Sequence, residues 1–136
     1  MRRQRGFTLI ELLVVLAILA MLAAIVVPRV FRNLDKAKVN TAKTQIAAFE
    51  SAISAYRLDV GSFPTTDQGL QALRAQPGGV ENWDGPYLPK DIPPDPWGHP
   101  YVYRCPSEHG DYEIISYGAD GREGGDGFNK DIESWK

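Results

Sequence analysis

The chain has 136 residues, 43% hydrophobic and 24% charged, enough for one domain with a small core, and its single cysteine, Cys105, excludes an intrachain disulfide. The formal net charge of -2 conceals a division: residues 1–58 carry nine Lys/Arg and three Asp/Glu, whereas residues 59–136 carry six and fourteen. No Lys/Arg cluster is interleaved with stacking aromatics, which argues against a nucleic-acid surface, and neither His99 nor His109 comes with a recognisable catalytic motif, which argues against an enzyme.

Arg2, Arg3 and Arg5 precede an apolar run, Leu12 to Val27, that holds no charged or hydrogen-bonding side chain. Cations ahead of such a run keep the N-terminus cytoplasmic and send the rest of the chain across the membrane. Leu12 to Pro28 makes about 26 Å of helix at about 1.5 Å per residue, short of a hydrocarbon core of about 30 Å, and adding Phe7 to Glu11 brings it to about 33 Å. The span therefore places Glu11 in or at the edge of the bilayer, where a lone acid costs on the order of 2–3 kcal/mol and needs a partner. A secretory signal peptide shares the basic start but ends in an Ala-x-Ala-like site after the apolar run. None occurs here, and the helical period continues past Pro28, so the apolar segment is expected to be retained.

Pro28 is expected to bend this helix rather than end it. Beyond it, Ile46, Phe49, Ile53, Tyr56 and Val60 recur at spacings of 4, 3, 4 and 3, a one-faced stripe with Lys43, Glu50 and Arg57 placed off it. A helix from Phe7 to about Leu58 is near 78 Å long, more than a small domain needs, so its first half is expected to pack on other subunits. After Gly61, Pro and Gly recur too densely for long elements. One short helix is expected within Asp67 to Ala75, and two strands, Tyr101 to Arg104 and Tyr112 to Tyr117, across a Pro106 to Gly110 turn. The fold class is α+β: one long N-terminal helix whose second half carries a small antiparallel sheet.

The tail alternates Asp120, Glu123, Asp126 and Asp131 with five glycines between Gly118 and Gly127, a flexible, oxygen-rich loop of the kind Ca²⁺ needs. The pattern argues against an EF-hand, because Arg122 and Gly124 occupy its third and fifth ligand positions, and no Gly-Lys-Ser/Thr follows the glycines to make a phosphate loop. A solvated, turn-rich tail stays open as the alternative.

Gly6-Phe7-Thr8-Leu9-Ile10-Glu11 resembles the leader junction of type IV pilins and type II secretion pseudopilins. The stretches Phe63 to Leu70, Asp95-Pro96-Trp97-Gly98-His99-Pro100-Tyr101 and Ser116-Tyr117-Gly118-Ala119-Asp120-Gly121 resemble the major pseudopilins of type II secretion, extending the likeness over nearly the whole chain. The resemblance implies a pilin-like fold: a leader at residues 1–6 removed by a prepilin peptidase between Gly6 and Phe7, N-methylation of Phe7, a transmembrane helix at 7–28, its soluble half at 29–60, and a periplasmic domain at 61–136. It implies that Glu11 pairs with the new α-amine of a neighbouring subunit, and that a Ca²⁺ loop at 117–131 uses the Tyr117 carbonyl with Asp120, Asp126 and Asp131. Function follows as the major structural subunit of a short periplasmic filament that helps drive folded proteins across the outer membrane. Implied partners are copies of itself, the prepilin peptidase, minor pseudopilins and the inner-membrane assembly platform. The alternatives are a type IV or competence-type pilin, although one cysteine cannot make their usual C-terminal disulfide loop, and a minor pseudopilin reading cargo through Trp83 and Trp97.

Overall fold

The computed structural model describes residues 3–136, so that Met1 and Arg2 of the expected leader lie outside the described residues. Helix α1 runs Leu9–Val60, with Pro28 inside it, as expected of a helix rich in Ala, Leu and Ile up to Gly61, where φ turns positive. The chain divides into one unit ending at Asp35 and a second, Lys36–Lys136. In the first, the apolar side chains from Leu9 to Leu34 are exposed, Phe31 among them, and the helix is long and apolar enough there to cross a membrane.

The second unit has a core. Ile46, Phe49, Ile53 and Tyr56 are buried as the stripe requires, with Ala42 and Ala52 buried beside them. They meet Leu70, Ala72 and Leu73 from a 3-10 turn, Leu70–Leu73, the short helix expected within Asp67 to Ala75, which follows Gly69 with its positive φ. Strands β1 (Val102–Arg104), β2 (Glu113–Ser116) and β3 (Ile132–Glu133) form an antiparallel sheet in that order. The first two are the expected pair, one residue shorter at the start of β1 and at each end of β2, while β3 falls within the acidic tail and was not expected.

All four residues of β2 are buried. A strand covered on both faces must find partners for its polar side chains, and both Glu113 and Ser116 have them. Arg104 Nη1 donates to Glu113 Oε1 at 2.9 Å, while Ser107 Oγ and His109 Nδ1 donate to Oε2 at 2.7 and 3.0 Å. Ser116 Oγ donates to Asp95 Oδ2 at 2.7 Å. Burial pushes the Glu113 carboxyl up, but the hydrogen bonds from His109, Ser107 and the Arg104 guanidinium more than reverse this and hold it below the ordinary carboxylate range. Cys105 is half-buried with a free thiol, and its backbone is tied to Thr66 by two hydrogen bonds of 2.9 and 3.0 Å.

Candidate functional site

Two regions carry the chemistry expected from the sequence. At the start of α1, residues 3–8 have no regular structure, and both Gly6 and Phe7 are exposed, so the Gly6-Phe7 peptide bond lies in open chain just ahead of the helix. Thr8 supplies the N-cap. Glu11 N–H donates to Thr8 Oγ1 at 3.3 Å and Thr8 N–H donates to Glu11 Oε2 at 3.0 Å, a reciprocal capping box that satisfies two of the free donors at a helix start. Glu11 itself is exposed, so the remaining lone pairs of its carboxylate are open to a further partner. Sequence reading singled out Glu11 and missed Thr8, although Thr-x-x-Glu ahead of an apolar run is the recognisable signal for such a cap.

The acidic loop is held from outside by the segment Asp95–Tyr101. Asp95 is buried, and its Oδ1 accepts from the N–H groups of Trp97 and His99 at 3.1 and 2.9 Å, while its Oδ2 takes the Ser116 hydroxyl on β2. The carboxylate folds this turn on itself and fixes it to the sheet. His99 is thereby aimed at the loop, where Nδ1–H donates to the Gly118 carbonyl at 3.2 Å. A Cβ at Gly121 would fall within 2.8 Å of the His99 ring, and one at Gly118 (φ +72°) within 2.9 Å of the Phe128 and Lys130 carbonyl oxygens. Both glycines are required by close approach. Neither Asp95 nor His99 is legible from sequence as a support for the loop, because their partners, Ser116 and Gly118, lie far along the chain.

The carboxylates of the loop do not converge. Among the described residues no three His, Cys, Asp or Glu side chains form a cluster able to hold a metal ion. Asp120 is exposed and its Oδ1 accepts from Arg122 N–H at 3.1 Å, and Asp126 is exposed at the start of a 3-10 turn, Gly127–Asn129. Asp131 differs from them. Its Oδ2 accepts from Gly124 N–H at 2.9 Å, whereas its Oδ1 is buried without any hydrogen-bond partner. A buried carboxylate oxygen left unpaired costs about 1–3 kcal/mol or more, which a cation would remove. With main-chain carbonyls crowding Gly118 next door, the donor set is all oxygen, the chemistry Ca²⁺ takes. The residues therefore fit such an ion, held more by main-chain oxygens than by three aspartates. Trp83 and Trp97, the possible cargo readers, both pack against the core, and Trp83 Nε1 donates to the Ala72 carbonyl at 2.8 Å.

Residues 29–135 match the family model described as type II secretion system (T2SS), protein G, and residues 1–27 match the prokaryotic N-terminal methylation motif. The chain is 47% identical to the type II secretion system core protein G of Pseudomonas aeruginosa, over 98% of this chain and 96% of that protein. It is 46% identical to its counterpart in Vibrio cholerae, over 99% and 94%. Its fold is similar to the crystal structure of the major pseudopilin from the type 2 secretion system of enterohaemorrhagic Escherichia coli, with a TM-score of 0.65 and 36% identity, covering 76% of this chain and 90% of that one.

Proposed function

The chain belongs to the type II secretion system protein G family, and from that premise we propose how its two sites make it a filament subunit. It is a structural pseudopilin, not an enzyme. Its N-terminal apolar helix and methylation motif fit a single-pass inner-membrane protein. In the proposed sequence of events the subunit waits in that membrane with its N-terminus cytoplasmic and the domain that follows α1 in the periplasm. Prepilin peptidase cuts after Gly6 and methylates Phe7, and the cut subunit then adds to a pseudopilus of its own copies. The other partners in this reading are minor pseudopilins and the inner-membrane assembly platform.

The observation that carries the reading is the capping box. It uses Thr8 N–H, which survives a cut before Phe7, and it leaves the exposed Glu11 carboxylate able to accept a second, charged partner. Cleavage creates that partner, since a new α-amine with a reference pKa of about 7.7–8.0 is cationic at neutral pH. Glu11 of one copy then takes the amine of the next, fixing the register of addition, and repeated head-to-tail addition gives an open helical filament. In the acidic loop, Ca²⁺ would be held chiefly by Asp131 and main-chain carbonyls such as that of Tyr117, with the exposed Asp120 and Asp126 completing the oxygen shell on binding, and it would offset the loop's negative charge and stiffen the domain that neighbouring subunits meet. The unpartnered Asp131 Oδ1 supports this assignment.

The test is replacement of the resident protein G subunit in a bacterium with an active type II system. Restored secretion of folded proteins is expected, and secretion no better than in the deletion strain, despite normal levels of processed chain, would contradict the reading.

A further inference from the structure

The segment that follows the apolar run, Pro28-Arg29-Val30-Phe31-Arg32-Asn33-Leu34, takes no part in the helix cap, the core or the acidic loop. Arg29 and Arg32 are exposed, sit three residues apart on one face of α1, and have no ion-pair partner among the described residues. Val30, Phe31 and Leu34 between and beyond them are 56%, 61% and 50% exposed. Arginine interleaved with exposed aromatic and aliphatic side chains is the composition of a membrane interface, where the rings sit at headgroup level and long cationic side chains reach toward phosphate. The placement also runs against the charge rule that orients the span, because arginines on the translocated side oppose insertion in the direction that Arg3 and Arg5 favour.

We propose that Arg29 and Arg32 bind the phosphate of an anionic phospholipid in the leaflet opposite the leader and so set the depth at which the subunit rests before it leaves the membrane. The proposal rests on the membrane-spanning reading of α1. Geometry selects these two cations. With Val27 at the edge of the hydrocarbon, Arg29 lies about 3 Å and Arg32 about 7.5 Å beyond it along the helix, within a headgroup layer of roughly 5–8 Å. Lys36 lies about 13.5 Å out, past that layer. Arginine suits the role because its planar fork can take two phosphate oxygens at once. Continuity with the lipid-facing span and the charge of the headgroup favour this occupant over a second copy of the chain.

The experiment reconstitutes the full chain into phosphatidylcholine vesicles carrying trace spin-labelled phosphatidylglycerol or spin-labelled phosphatidylcholine, and measures the preference of the protein boundary for one over the other. Wild type should prefer phosphatidylglycerol, and R29Q/R32Q should lose up to about thirtyfold of that preference, from roughly fivefold per cation near an anionic surface. R29K/R32K should keep most of it, and R3Q/R5Q and K36Q/K38Q should each keep a preference that R29Q/R32Q lacks. R29Q/R32Q with the same preference as wild type would overturn the proposal alone. A chain that alkaline carbonate washes off the vesicles would remove the spanning reading and the proposal with it. Loss of the preference in wild type only at protein densities that bring copies together would assign the arginines to a second copy and overturn the lipid assignment.

Discussion

Thr8 and Glu11 hold each other through two hydrogen bonds, Thr8 N–H to Glu11 Oε2 at 3.0 Å and Glu11 N–H to Thr8 Oγ1 at 3.3 Å. The acid proposed to pair with a neighbouring subunit's amine is therefore also part of the helix cap. These two roles separate by substitution. Gln in place of Glu11 keeps an acceptor for the Thr8 N–H but removes the charge. Glu11→Gln is expected to insert in membranes like wild type, with unchanged helicity, and to form no filaments when cross-linked cells are examined. Filaments at wild-type yield would show that Glu11 serves the helix cap alone.

Thr8→Ala acts on the other half of the pair. It removes the hydroxyl that accepts from Glu11 N–H, a loss of about 1 kcal/mol at the helix start, with fraying confined to the first turn. Amide exchange of the full chain in micelles should quicken at residues 9–12 and stay unchanged beyond Val15.

Calcium should raise the melting temperature of the domain following α1. A ligand at a hundredfold excess over its Kd adds about 2.7 kcal/mol, which is several degrees for a domain of this size. Asp131→Asn should abolish most of the rise, because it neutralises the one loop carboxylate with an unpartnered buried oxygen. Identical melts in excess Ca²⁺ and in chelator would sink the metal assignment.

Gly118 and Gly124 both have positive φ, but only Gly118 stands against backbone, within 2.9 Å of two carbonyl oxygens at the Cβ position. Gly118→Ala should cost well over 1 kcal/mol and loosen the loop, whereas Gly124→Ala should cost only the strain of its conformation, about 1 kcal/mol. Equal losses in thermal melts of the two variants would contradict this difference.

Acid should destabilise the sheet through Glu113. Its carboxyl is held below the ordinary range in the folded protein, so its contribution is present above the unfolded value, near 4.5, and is lost as pH falls through the folded value. Glu113→Gln should lower stability at neutral pH by about 1.5–3 kcal/mol, the loss of charged hydrogen bonds, and flatten the dependence of stability on pH below about 4.5. An unchanged acid limb in urea titrations would show that other carboxylates set it.

The long helix and its core stripe were legible because one period of 3.6 residues governs them from Ile46 to Tyr56, and the first two strands because alternation and a proline-containing turn mark them. β3 was not legible. Ile132 and Glu133 form a strand only through Ser116 and Ile115, more than fifteen residues away, and two residues carry no period of their own. The same holds for the loop, where the acids announced themselves by composition while its supports, Asp95 and His99, take their meaning from Ser116 and Gly118 across the fold. Composition alone also does not reveal that Asp120 is engaged by a local turn to Arg122.

In the proposed assembly, a cut between Gly6 and Phe7 creates the cation that Glu11 requires. Intact-mass measurement of the full chain, expressed with and without prepilin peptidase, tests it most directly. Loss of Met1 to Gly6 together with the gain of one methyl group, only when the peptidase is present, is the predicted result. An uncut mass in both samples would contradict it.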